Sequence, residues 1–238
     1  MNPVYSNEYL NQYYAEYYTG GETSADIDAG QQRTNLIKLR AIEKFIKQPG
    51  RVLDFGCGNG NFIRTAQEKG WQVTGYDVDC DAMQHVASRY AVEVGCGNLH
   101  DLDWPEKQFD LIHAHHVVEH LKTPVADLQR LNRWLKPGGH FYIGVPNIHA
   151  ASSRLKFFLE KIGLRRKNIG KYYDSDHHVF YYTPTSLTHL LETCGFEVLM
   201  VMNGNKSHVS DSPLVQFFTY YLMNYVYSSS AFFVIARK

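Results

Sequence analysis

Val52-Leu53-Asp54-Phe55-Gly56-Cys57-Gly58-Asn59-Gly60, followed by Asn61, reads as an apolar strand running through closely spaced glycines into a helix. Glycine there lets the backbone approach a ligand closely, and the first turn of the helix presents amides to an anionic or polar group. The dinucleotide pattern G-x-G-x-x-G needs Gly or Ala at position 61, and Asn61 breaks it. Asp54, just ahead of the first glycine, is foreign to that pattern too; its carboxylate suits a ligand carrying an ammonium group. Asp77 closes the next strand, where a carboxylate accepts both hydroxyls of a ribose. Gly97-Asn98-Leu99 follow the third strand and offer an adenine an amide side chain and an apolar neighbour.

Outward from this loop, strands and helices alternate. Strands are expected at 51–55, 72–76, 91–94, 109–114 and 140–145. Helices are expected at 61–69 and 79–90, with another capped by Thr123-Pro124 that carries Leu128, Leu131 and Leu135. Pro137-Gly138-Gly139 reads as a turn into the fifth strand. This rhythm predicts an α/β fold with an open, doubly wound, mostly parallel sheet, whose ligands lie beyond the carboxyl ends of the strands. Upstream, Thr23–Gly30 reads as a polar connection and Gln31–Lys47 as a helix. Downstream come a helix at 152–162, a helix capped by Thr183-Pro184 and ended by Cys194-Gly195, and apolar strands at 196–202 and 231–236.

The chain has 238 residues, 44% of them apolar and 20% charged, with 24 basic and 24 acidic side chains. A soluble core is expected, with no global field to steer nucleic acid or an anionic membrane. Apolar runs such as Ala231–Ala236 are far short of a membrane span. The start, Met1-Asn2-Pro3-Val4-Tyr5, carries no secretory signal pattern. Cys57, Cys80, Cys96 and Cys194 form no CxxC or zinc spacing and read as reduced thiols in a cytoplasmic protein.

Together the D-x-G-x-G-x-G loop, Asp77, Phe109-Asp110-Leu111-Ile112, Glu119-His120-Leu121 and Leu135-Lys136-Pro137-Gly138-Gly139 resemble the class I S-adenosylmethionine-dependent methyltransferases, most of all the ubiquinone-biosynthesis-like O-methyltransferases. The resemblance implies a three-layer αβα sandwich of seven strands, the last inserted antiparallel, with a helical cap. It divides a single domain into a cap (1–50), a cofactor-binding core (51–147) and acceptor-side insertions with the last two strands (148–238). It implies S-adenosyl-L-methionine as cofactor, leaving as S-adenosyl-L-homocysteine. On this analogy Gly56, Cys57, Gly58 and Gly60 line the methionine end and Asp54 holds the amine. Asp77 and Val78 take the ribose, Asn98 and Leu99 the adenine, and the backbone at His115 approaches the cofactor. A nicotinamide dehydrogenase is disfavoured by Asn61 and Asp54.

Methyl transfer to oxygen needs in-line geometry and a base near neutral pKa, for which histidine is the usual choice. His116 and His178 are the candidate bases, while His115 and His120 read as structural. His116-Val117-Val118-Glu119-His120 would put three ligand-type side chains on one helical face, a partial match to an E-x-x-E-H metal site; metal stays outside the expectation. The acceptor is expected to be a small molecule (phenolic, sugar or lipid-linked) and not RNA, in a monomer or homodimer without stable membrane insertion. A non-catalytic cofactor sensor or partner subunit is the alternative. Three further segments are assigned to the substrate cover. The tyrosines at 5, 9, 13, 14, 17 and 18 read mostly as packing, and Arg165-Arg166-Lys167 as a solvated loop or a phosphate contact. The Leu214–Tyr227 stretch reads as a buried helix or dimer face.

Overall fold

The computed structural model describes residues 25–148, 150–164, 178–203 and 230–238. The N-terminal tyrosines, Arg165-Arg166-Lys167 and Leu214–Tyr227 lie outside them. Helix α1 (Ala25–Ile42) leads into β1 (Arg51–Phe55), α2 (Asn61–Glu68), β2 (Gln72–Asp77), α3 (Cys80–Tyr90), β3 (Glu93–Cys96) and β4 (Phe109–His115). Then come α4 (Pro124–Trp134), β5 (Leu135–Pro146), α5 (Ala151–Lys161), α6 (Pro184–Thr193), β6 (Glu197–Asn203) and β7 (Ala231–Arg237). The sheet order is β3-β2-β1-β4-β5-β7-β6, parallel except that β7 runs antiparallel to both β5 and β6. Strand order reverses between β1 and β4, which opens a crevice at their carboxyl ends.

Alternation along β1 explains the layers. Leu53 and Phe55 face a core with Leu128, Leu131 and Trp134 of α4 and Leu187 and Leu191 of α6. Val52 faces the other core, with Leu39 and Ile42 of α1, Phe62 and Ile63 of α2 and Met83 and Val86 of α3.

Several boundaries depart from expectation. Helix α1 starts at Ala25 and ends at Ile42, so the presumed connection is helical; Gly30 sits inside it with open space where a Cβ would be. A polar helical face and a polar loop look alike in sequence. Strand β3 starts at Glu93, because Ala91 takes a left-handed turn (φ 52°) at the end of α3. Strand β5 runs through Pro137-Gly138-Gly139, which forms an irregularity in its pairing with β4 and not a separate turn.

The expectation of four reduced thiols is overturned for two of them. Cys80 and Cys96 form a disulfide, with Cα atoms 5.0 Å apart. Neither spacing nor motif announces it; the pair meets because β3 lies beside β2, placing Cys96 opposite Asp77. Cys57 and Cys194 are free and buried.

One polar pair sits inside the α1–α2–α3 side of the sheet. Asp54 and His113, register partners on β1 and β4, are joined by a 2.7 Å hydrogen bond from Nδ1 of the ring to the carboxylate. The imidazole stacks on Phe62 with ring centroids 3.6 Å apart. Burial pushes the His113 pKa down, against the pull of Asp54, and the nearby charge of Lys38 adds to the depression.

Two outcomes follow for stability. In Gly56→Ala the new Cβ would lie 2.3 Å from Val117 Cγ2 at a φ of +75°; urea unfolding should show a loss of about 2–4 kcal/mol. Burial holds the His113 pKa below that of the unfolded chain, which takes a proton below about pH 6.5, so stability should fall as pH drops through that value. Thermal unfolding between pH 7.5 and 5.5 should show a shallower loss for His113→Asn, and identical slopes would refute the assignment.

Candidate active site

A cavity of about 470 Å³ occupies the crevice beyond β1, β2 and β4, within the size range of small-molecule sites. Its floor and walls come from the loops after those strands and from the loop after β3.

The glycine loop is shaped by backbone geometry. Gly56, Gly58 and Gly60 have φ values of 75°, 49° and 75°, a region closed to most other residues. The amides of Gly56 and Cys57 donate to the Tyr76 carbonyl at 2.7 and 2.9 Å, locking the loop onto the end of β2. Gly60 is the N-cap of α2 and offers no side-chain cap; the first-turn amides of any helix lack an intrahelical acceptor. Gly56 lines the cavity. Cys57 turns its side chain away, its thiol donating to Met83 Sδ at 3.4 Å, and burial holds that thiol protonated.

Asp77 and Val78 line the cavity. One oxygen of Asp77 accepts the Gly58 amide at 3.0 Å and the other the Val78 amide at 2.8 Å. Burial raises its pKa, and these amides oppose the rise. The carboxylate keeps acceptor capacity for a hydroxyl donor from the cavity. Asn98 and Leu99 also line the cavity. The Asn98 side-chain Oδ1 accepts the His100 amide at 3.1 Å, capping a single 3-10 turn that seats Leu99.

Asp54 is placed differently from a wall residue. Its carboxylate is 2% exposed behind the loop, one oxygen on His113 and the other, Oδ2, without a hydrogen-bond partner among the described residues. His115 is outside the cavity lining, its ring packed where a Gly144 side chain would be.

The opposite wall is organised by Glu119, which is 1% exposed. His116, on a left-handed backbone (φ 60°), lines the cavity and places Nδ1 3.1 Å from Glu119 Oε1. His178 Nε2 lies 3.9 Å from the same oxygen, with the side chain 13% exposed. The Glu119 carbonyl accepts the amides of Val179 and Phe180 at 2.9 and 3.0 Å, which seats His178 beside it. The expected helical face at 116–120 is not formed: Val118–His120 is one 3-10 turn. Instead Glu119, His120 and His178 bring their ligand-type atoms within 4.8 Å of one another. His120 lines the cavity, and its ring centroid is 4.9 Å from that of His178, which stands behind the lining.

His100, Thr123, Asp127 and Tyr76 line the cavity and had no signal as site residues in the sequence. His100 Nε2 bonds Asp127 Oδ1 at 2.8 Å, and Thr123 donates to Asp127 Oδ2 at 3.1 Å, closing the crevice between the β3 loop and α4. Thr123 holds the expected N-cap position of α4, but its hydroxyl goes to Asp127 and makes no cap hydrogen bond. Tyr76 stacks on Phe55 and donates its hydroxyl to the Gly97 carbonyl at 2.8 Å. Among the described residues no helix is long and apolar enough to cross a membrane.

The crevice can be compared with known proteins. A relative from Mycolicibacterium smegmatis, described as a probable S-adenosylmethionine-dependent methyltransferase, is 32% identical over 148 residues, covering 62% of this chain and 52% of its own. The ubiquinone biosynthesis O-methyltransferase of Vibrio cholerae is 29% identical over 127 residues, half of each chain. The chain thus spans about half the length of these curated relatives. The crystal structure of Burkholderia thailandensis 1,6-didemethyltoxoflavin-N1-methyltransferase, with bound 1,6-didemethyltoxoflavin and S-adenosylhomocysteine, matches with a TM-score of 0.65. Identity there is 19%, over 99% of this chain and 92% of that one, a likeness that speaks to fold alone. A family model described as a methyltransferase domain matches residues 29–201. With most of its length under that match and the sheet order found above, the chain belongs to the methyltransferase-domain family and has the class I S-adenosylmethionine-dependent fold.

Proposed function

We propose that this protein transfers a methyl group from S-adenosyl-L-methionine to an oxygen of a small-molecule acceptor. The observation that carries the reading is His116, which lines the cavity while its Nδ1 meets the buried Glu119 carboxylate. A carboxylate on Nδ1 holds the proton there and leaves Nε2 as the proton acceptor. A hydroxyl acceptor needs such a base before it attacks, whereas a neutral amine attacks through its lone pair and sheds its proton afterwards.

The cofactor, when bound, supplies an electrophilic methyl group on a sulfonium. In this reading the Asp77 carboxylate takes the ribose hydroxyls, and Leu99 with Asn98 takes the adenine. The glycine loop and the first turn of α2 receive the methionine end. The bare, buried Oδ2 of Asp54 supports a positive charge nearby; sealed behind the loop, it favours the ammonium through its field. His116 takes the acceptor's proton, and Glu119 keeps the ring oriented. The walls exclude water and hold nucleophile, methyl and leaving sulfur in line.

Glu119, His120 and His178 support a second reading. Their clustering, with Glu119 Oε2 lacking a hydrogen-bond partner among the described residues, suits a divalent cation, which would polarise an acceptor oxygen. A sensor or partner subunit without turnover is the remaining alternative.

Labelled cofactor incubated with phenolic, sugar and lipid-linked acceptors tests transfer directly; micromolar cofactor binding without transfer to any acceptor would favour the sensor. Asp77→Ala should weaken S-adenosylhomocysteine binding by about 1–3 kcal/mol in calorimetry, since the ribose hydroxyls lose their acceptor. His116→Ala should lower kcat about a hundredfold with cofactor affinity kept and no response to chelator. Activity abolished by EDTA and restored by a divalent cation would favour the second reading.

A further inference from the structure

We propose that Cys80–Cys96 is a thiol–disulfide exchange site whose oxidised state holds the adenosine end of the crevice in shape and whose reduction loosens it. The proposal rests on the cofactor reading above.

The bond spans the place where two cavity loops part. Cys80 opens α3 just after Asp77 and Val78, and Cys96 ends β3 just before Gly97, Asn98 and Leu99. All five of these neighbours line the cavity. The β2–β3 ladder stops at the Asp77–Cys96 pair, and β3 is a short strand at the sheet edge. Beyond the ladder, the disulfide and the Tyr76–Gly97 hydrogen bond tie the two loops together. Gly97 adopts a left-handed backbone (φ 82°), and a Cβ there would come within 3.9 Å of Cys80 Sγ. A covalent link at this point sets the gap between the ribose loop and the adenine loop.

Its location also suits exchange. Cys80 is exposed, so a reductant can reach that end of the bond, while Cys96 is half-buried and packs against the core. Cys57 and Cys194 are buried, and burial keeps their thiols protonated, which leaves them inert as nucleophiles. The reaction partner is a dithiol. Its thiolate attacks Cys80 Sγ, the S–S bond breaks, and the electron pair leaves on Cys96, which takes a proton. The second thiol of the reductant then attacks the mixed disulfide and releases Cys80 as a thiol. The pair gains two electrons and two protons; the dithiol leaves as a disulfide. The freed loops then have to be ordered when the cofactor binds, which weakens binding.

The test uses the whole chain, titrated calorimetrically with S-adenosylhomocysteine before and after treatment with dithiothreitol, with thiols counted under denaturing conditions. The expected result is two thiols and tight binding without reductant, then four thiols and about tenfold weaker binding with it. Cys80→Ser/Cys96→Ser should bind like the reduced protein and ignore dithiothreitol; if it does not fold, the comparison on the unaltered chain decides alone. Equal affinity in both states, four thiols before reduction, or a double variant that still responds would each overturn the proposal while leaving the cofactor reading intact. Absence of binding in either state would overturn both.

Discussion

Asp77 joins the two loops on which the crevice depends. Its two oxygens accept amides from Gly58, in the turn after β1, and from Val78, in the turn after β2. Tyr76, the preceding residue, receives two more amides from the glycine loop on its carbonyl. The left-handed glycines therefore do not hold their shape alone. A buried carboxylate on the neighbouring strand fixes them, and the same carboxylate faces the cavity. The burial that raises its pKa is offset by those amides, so a group required for shape is also presented for binding.

The same device recurs around the sheet. Asp54 is met by His113, Asp127 by His100 and Thr123, and Glu119 by His116. Each is a carboxylate that is nearly or fully buried and engages a ring nitrogen on a different strand or loop, except Glu119, whose partner lies in the same turn. Buried charge is costly unless hydrogen-bonded, so each pair ties its segments in one arrangement. Asp127 closes the wall between the β3 loop and α4 in this way. Glu119 sets the opposite wall, where its carboxylate and its own carbonyl together bring 178–180 against 116–120.

The wall around Glu119 also explains why the histidines are hard to rank from sequence. On paper His116 and His178 are equal candidates for the base, and His120 reads as structural. The turn at 116–120 is not an α-helix, so i, i+3, i+4 spacing did not describe which of them meet. What separates them is exposure and their relation to one carboxylate: His116 borders the cavity, while His178 stands behind His120.

Local residue pattern is enough to specify the layered α/β architecture, the glycine turn at 56–60 and the positions of Asp77, Asn98 and Leu99 at strand ends. Those features are local: apolar alternation, glycine where φ must be positive, and loops at fixed places after strands. Tertiary structure alone decided that Asp54 lies behind the loop on His113 and that Cys57 turns toward Met83. It also decided that Cys80 pairs with Cys96 and that Glu119 gathers histidines from both sides. Each of these depends on which strands lie side by side and on a buried group's need for a partner. A single chain's residue pattern does not encode that need until the sheet order β3-β2-β1-β4 places distant residues opposite one another.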